Sequence, residues 1–348
     1  MKKALIAGAT GVVGRHLLKH LADSGDWNVV ALSRRRPDVR GRFEHIGADL
    51  GDPAALRETL APLADVTHVF FAAYVERPDA QEHVRANVAL LRNLLDAIEP
   101  AARALAHVHL VEGTKWYGSH LGPFRTPAKE GDPRTVPLLF YYDQQDLLEA
   151  RSRAGGWTWS AVRPHTVCGY ALGNPMNLTM VIAVYAAICR ELGLDFSHPG
   201  APENWHALYQ VTDAGLLARA IEWMALAPQC ANQAFNVTNG DLFRWEHLWP
   251  RLAAFFGLVA GPQRSLSLQA LMADKAPVWE RIVARHRLVP NRFEDIAAWP
   301  FGDYVFSSRW DVISDCGKAR RTGFCEQIDS EAMFLRLFAG LQRDRIVP

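Results

Sequence analysis

No two cysteines stand in a C-x-x-C pair, and the five present, Cys168, Cys189, Cys230, Cys316 and Cys325, are odd in number and widely spaced. That argues against a disulfide framework and a zinc site, and fits a reducing compartment. The histidines show no HExxH or comparable spacing, so no metal is expected, and His83, His107, His109 and His206 read as surface or packing residues. Neither sign of charge dominates: 38 basic residues face 37 acidic ones, which gives no pull toward nucleic acid or an acidic membrane surface. Long hydrophobic runs are missing as well. The amino-terminal MKKALIAGATG is broken by glycine too early for a signal peptide and reads as the first strand of a cytoplasmic enzyme. LTMVIAVYAAIC, at 178–189, is closed by Arg190 and Glu191 and reads as a buried helix rather than a membrane span.

What is present points to an α/β fold. Apolar runs ALIAG at 4–8, NVVAL at 28–32, THVFFAA at 67–73, HVHLV at 107–111 and TWSAVRP at 158–164 alternate with helical patterns near 12–23, 53–62, 80–97 and 141–153. Strict alternation implies right-handed crossovers and a doubly wound parallel sheet, whose ligands bind at the carboxyl ends of the strands. From about residue 170 longer helices with Trp-rich connections take over, as in ENWHALY, LFRWEHLWPRL and APVWERIV. At 348 residues the chain exceeds one usual core. The expectation is a nucleotide-binding domain over 1–169, with a return segment near 205–240, and a smaller, mostly helical substrate lobe over 170–348. AFNVTNG at 234–240 is the run expected to return to the sheet, making the boundary discontinuous.

GATGVVG places Gly8, Gly11 and Gly14 between the first strand and the first helix. Glycines there permit a tight turn and close approach of a pyrophosphate to the helix amino terminus, the fingerprint of an NAD(P)-binding Rossmann fold. The second strand is followed by Ser33, Arg34 and Arg35 rather than by an acid. Arginine pairs with a 2′-phosphate, so NADP is favoured over NAD; the alternative is that RRRP is a solvated basic loop. Asp49, in GADL, either accepts from the adenine amino group or caps the helix that follows.

RPHTVCGY, Asn87 and the GxxGxxG spacing resemble the extended short-chain dehydrogenase/reductase superfamily. That superfamily pairs a tyrosine with a lysine four residues on in a helix, and has a serine or threonine after the fifth strand. In FYYDQQDLLEA the tyrosine is Tyr141 and the lysine position is Gln145, while Gly113 takes the place of the serine, with Thr114 beside it. A neutral phenol is a poor stabiliser of an oxyanion without a nearby cation. Lys115, just beyond the fifth strand, is placed to supply it.

GTKWYGSHLGPF and FYYDQQD resemble the plant progesterone 5-beta-reductase and iridoid synthase-like family, whose patterns are TGxKHYxGPF and NFYYDxED. Lys115, Tyr117, Gly122, Pro123 and Phe124 match the first, and Phe140, Tyr141, Tyr142, Asp143 and Asp146 the second. The resemblance implies NADPH-dependent reduction of the activated C=C bond of enones or enals by 1,4-hydride addition, with Tyr141 and Lys115 stabilising the enolate. It implies cofactor contacts at Gly8, Thr10, Gly11, Val12, Val13, Gly14, Ser33, Arg34, Arg35, Asp49, Leu50, Ala72, Tyr141, His165 and Val167. Substrate contacts are implied at Tyr74, Trp116, Phe124, Asn177 and Phe301. Trp116 replaces the family's histidine, Leu139 its asparagine, and RTPAKEGDPRTVPLL looks shorter than its counterpart. Two other readings stay open: a carbonyl reductase or nucleotide-sugar epimerase/dehydratase, and a non-catalytic NADP-sensing protein. The expected partner is a small enone or enal, with no nucleic acid and no membrane; a homodimer is left open.

Overall fold

The computed structural model describes residues 2–135 and 138–348. Residues 136 and 137, in the stretch between the two motif segments, lie outside the described residues. Strands β1 (Lys2–Ala7), β2 (Trp27–Leu32), β3 (Glu44–Ile46), β4 (His68–Phe71), β5 (His107–Val111) and β6 (Thr158–Pro164) are interleaved with α1 (Val12–Ser24), α2 (Pro53–Leu60), α3 (Ala80–Ala101) and α4 (Phe140–Gly155). With the strand Gln233–Val237 they form a seven-stranded sheet in the order Gln233–Val237, β6, β5, β4, β1, β2, β3. Every neighbouring pair is parallel. The expected doubly wound sheet is therefore the observed one, and the AFNVTNG run returns to it beside β6.

The pleat explains the apolar runs. Leu5 and Ile6 are adjacent in β1 and both fully buried, but on opposite faces. Leu5 packs with Val69, Val108, Leu94 and Leu148 toward α3 and α4. Ile6 packs with Leu17, Phe70, Leu217 and Phe235, toward α1 and the helix Ala214–Leu226. A parallel sheet covered on both faces has to be apolar nearly throughout. The order reverses between β1 and β4, and at such a switch point loops diverge and open a crevice at the strands' carboxyl ends.

Helix α5 (Leu178–Leu192) is the apolar run at 178–189, buried at every one of those positions. Around it Phe196, Trp245, Trp249, Trp279, Phe334 and Phe338 make a further core. Among the described residues no helix is long and apolar enough to cross a membrane. Helix caps bear on two of the expected site residues. Asn177, expected at the substrate, is buried as the N-cap of α5, its Oδ1 accepting from Met180 N at 3.3 Å and its Nδ2 donating to Ala171 O at 3.2 Å. The cap of α2 is Asp52, whose Oδ1 accepts from Ala55 N at 3.1 Å, whereas Asp49 accepts from Gly51 N at 2.8 Å. Asp49 is therefore no helix cap.

Candidate active site

The register sets Ala7 level with Leu32 and Phe71, so the residues after β1, β2 and β4 share one edge. A β-carbon on Gly8 would lie 2.7 Å from the backbone of Ala72 and Ala73, and one on Gly14 would lie 2.3 Å from Gly8 O. These two glycines let strand, loop and α1 pack. Gly11 differs: the nearest atom to its absent β-carbon, Asn174 Nδ2, is 3.4 Å away, and as N-cap of α1 it offers no side-chain cap. The first-turn amides at Val12, Val13 and Gly14 thus stay open to an anion, at the positive end of the helix dipole. Thr10 lies in the same turn. Gly8, Gly11 and the α1 terminus fit the diphosphate of a dinucleotide.

Ser33 is buried at the end of β2, its Oγ donating to Arg35 O at 2.7 Å. Arg34 and Arg35 project into solvent beyond it. Leu50 is buried in the core beside α2 and α3, and its carbonyl accepts from Asn93 Nδ2 at 2.8 Å. Val167 sits in a two-residue strand beside Thr212. His165 is committed inside the chain: its N–H donates to Thr212 Oγ1 at 3.1 Å and its Nε2 meets Ser314 Oγ at 2.9 Å. Only its carbonyl is left for the backbone contact expected of it.

Tyr141, in the first turn of α4, reaches the end of β5, where its Oη lies 3.2 Å from the position of a β-carbon on Gly113. Among the described residues no hydrogen bond is made to that hydroxyl. Burial raises the phenol well above its ordinary value, with Glu112 and Tyr304 adding to the rise, so it stays a neutral donor. Lys115 is in the 3-10 turn Thr114–Tyr117. Its ammonium sits 5.1 Å from the centre of the Tyr304 ring, and burial lowers its pKa while the Glu76 carboxylate pushes it back up. No hydrogen bond joins Lys115 to Tyr141 among the described residues. Tyr304, on the helix Trp299–Ser307, links them.

Tyr74 follows β4, donates to Glu76, and packs 5.4 Å from His83 and 5.8 Å from Phe140. Phe301 stacks on Tyr304 at 6.0 Å. Phe124 packs between the helical core and the Trp116–Tyr142 cluster. Trp116 lies deeper. It is 4% exposed, turned into the molecule against Tyr142 at 4.8 Å, with the Arg163 guanidinium 3.5 Å from its ring centre. The ring is thus packed in the interior cluster with Tyr117, Leu139 and Tyr142.

Beneath the site lies a buried polar network that the motifs did not reveal. Arg163 on β6 donates from Nε to Glu112 Oε2 at 2.7 Å and from Nη2 to Gln145 Oε1 at 3.0 Å. Its Nη1 donates to Tyr117 Oη and to Glu130 O, both at 3.2 Å. Burial lifts the Glu112 carboxyl to about 7, with Arg163 pulling it back down. Tyr304, Glu76, Glu112 and Arg163 were not singled out from the sequence, whereas His83, read there as a surface or packing residue, packs on Tyr74 and Phe140. For Glu112 and Arg163, a charged residue ending or interrupting a buried strand was the available signal.

A sequence model described as a PRISE-like Rossmann-fold domain matches residues 45–348. The chain is 37% identical over 364 residues to the (S)-8-oxocitronellyl enol synthase ISY2 of Nepeta racemosa, covering 99% of this chain and 91% of that one. It is 35% identical to the 3-oxo-Delta(4,5)-steroid 5-beta-reductase of Arabidopsis thaliana, covering 99% and 93%. Among solved structures, the UDP-glucose 4-epimerase of Thermus thermophilus in complex with NAD superposes with a TM-score of 0.69 over 98% of this chain and 99% of that one, at 16% identity. That likeness concerns the fold alone.

Proposed function

The chain belongs to the PRISE-like Rossmann-fold family, and from that premise we propose that it reduces the activated C=C bond of an enone or enal with NADPH, by 1,4-addition of hydride. One observation carries the reading: a half-buried, neutral Tyr141 hydroxyl with no partner among the described residues, near Tyr304, whose ring centre lies 5.1 Å from the Lys115 ammonium. A hydroxyl so placed donates to a carbonyl oxygen, and its bond strengthens as that oxygen becomes an enolate. The two relatives' names agree with this chemistry. The Δ(4,5) bond of a 3-oxo steroid is conjugated with its ketone, and an enol is the protonated form of what 1,4-addition leaves.

A nicotinamide cofactor, when bound, would be the source of the hydride that the β-carbon takes. Gly8, Gly11 and the first turn of α1 would hold its diphosphate, and the exposed Arg34 and Arg35 would favour NADPH through its 2′-phosphate. Tyr141 orients the substrate carbonyl. Lys115, half-buried beside the Tyr304 ring, contributes positive potential where the oxyanion forms. Gln145 at the helix-lysine position disfavours the carbonyl-reductase and epimerase readings, which rely on that lysine.

The test is NADPH absorbance with cyclohexenone, an enal, progesterone and a nucleotide sugar. Saturated ketone or aldehyde products are expected. An allylic alcohol as sole product indicates carbonyl reduction, and NADPH binding without turnover indicates a sensor.

A further inference from the structure

Lys115 emerges from a turn whose next two residues are both held by one side chain. In register, Val111 pairs with Val162, and Glu112 N donates to Val162 O at 2.8 Å, which brings Glu112 beside Arg163 on the neighbouring strand. The guanidinium lies against the Trp116 ring at 3.5 Å and donates to Tyr117 Oη at 3.2 Å. Tyr117 Oη in turn donates to Asn236 Oδ1 at 2.6 Å, and Tyr142 Oη donates to Trp116 O at 2.6 Å. Trp116 and Tyr117 are thereby pulled under the sheet edge, and in so tight a turn Lys115 has to leave on the opposite side, over Tyr304.

We propose that Arg163, anchored by Glu112 and Gln145, is a positioning residue that aims Lys115 into the reductase cleft; this rests on the function proposed above. Two anchors fix the guanidinium plane. The Glu112 carboxylate takes Nε, and the Gln145 amide oxygen takes Nη2. The fork geometry of arginine makes two such anchors sufficient to set its orientation. Gln145 also donates from Nε2 to Glu149 Oε1 at 2.8 Å, which fixes the amide with its oxygen toward Arg163. A lysine at 145, as in the wider superfamily, only donates. It would lose the Arg163 bond and compete with the guanidinium for Glu112, whose Oε1 has no partner among the described residues. The glutamine on the helix and the lysine on the loop are thus two ends of one network.

The charge at position 145 separates positioning from plain packing, because Gln145→Lys and Gln145→Glu are similar in length. Gln145→Lys is expected to lower kcat by about tenfold or more while NADPH affinity changes less than about twofold, the split of a misplaced catalytic group. Gln145→Glu, which keeps an acceptor oxygen, should lower kcat by no more than about threefold. In a Lys115→Ala background, Gln145→Lys should have no further effect, since its target is gone. Arg163→Lys, which keeps the charge but not the fork, should resemble Gln145→Lys; if it does not fold, the Gln145 pair decides. Equal losses in both Gln145 variants, a gain in Gln145→Lys, or full additivity with Lys115→Ala would overturn the proposal. A second readout needs no turnover: 13C NMR titration of reductively methylated Lys115. Its pKa should rise by about half a unit or more toward the ordinary value in Gln145→Lys, as the ammonium swings to solvent, and not in Gln145→Glu. An unmoved titration in both would also overturn it. Absence of enone turnover in the unaltered protein would instead sink the proposed function, leaving the NMR result to judge the clamp.

Discussion

The hydroxyl of Tyr141 lies 3.2 Å from the point a β-carbon on Gly113 would occupy. Gly113 is extended, with φ at −179°, so its backbone makes no demand for glycine. The constraint is space: a side chain there meets the phenol, which has to give by a few tenths of an ångström. Gly113→Ala should push the phenol by a few tenths of an ångström and lower kcat by about fivefold to tenfold, because small misplacements of a reacting group are costly. Melting temperature should change little. Steady-state kinetics with cyclohexenone, beside a thermal melt, checks both.

Tyr141→Phe removes one oxyanion donor while keeping the ring. A loss of about 10²–10³ in kcat is expected, with NADPH affinity within about twofold. Burial raises the phenol above its ordinary range, so its donor form is fully present at neutral pH and is lost only above the ordinary tyrosine range. The pH–rate profile should show no fall traceable to Tyr141 between pH 7 and about 9.5, given a reference value of about 10.

Arg34 and Arg35 are exposed past the end of β2. The paired Arg34→Ala, Arg35→Ala variant should raise the NADPH KM by about tenfold or more and leave the NADH KM nearly unaltered, as expected of a lost phosphate contact. Equal effects on both cofactors would mean that RRRP is only a solvated loop.

Stability should fall in mild acid. On the strand faces His107 bonds to Thr158 and Ser160 at 2.8 Å, and His109 shares Ser160 at 2.8 Å. Burial lowers His68 to about 4, His107 to about 3 and His198 to about 3. The unfolded chain takes up these protons near 6.5 and the folded chain resists until far lower. The histidines therefore cost nothing above pH 7, and destabilise progressively as pH drops from 6.5 toward 4, by at most about 1.4 kcal/mol per pH unit each. Thermal melts from pH 7.5 to 5 should show a falling midpoint. His107→Gln, which keeps a polar partner for Ser160, should flatten the slope.

Much of this was legible because geometry leaves the sequence few choices. Strands β5 and β6 begin and end where HVHLV and TWSAVRP do, since a strand covered on both faces must be apolar. The glycine fingerprint was readable for a similar reason: Gly14 packs against Gly8 O. Lys115 stood out only by contrast with Gln145. Side-chain direction was not legible. Nothing in the spacing of a four-residue turn says that Lys115 lies over Tyr304 while Trp116 turns inward against Arg163, on another strand. Asn177 is polar and lies before an apolar helix, so substrate contact and helix cap had the same signature. Tyr304 comes from a distant helix, and only the fold carries it to Lys115.

The most direct test of the central claim is the fate of a labelled hydride. With NADPH deuterated at the transferred position and an α,β-unsaturated aldehyde as substrate, the account predicts deuterium at the β-carbon of a saturated aldehyde. Deuterium on the former carbonyl carbon of an allylic alcohol would contradict it.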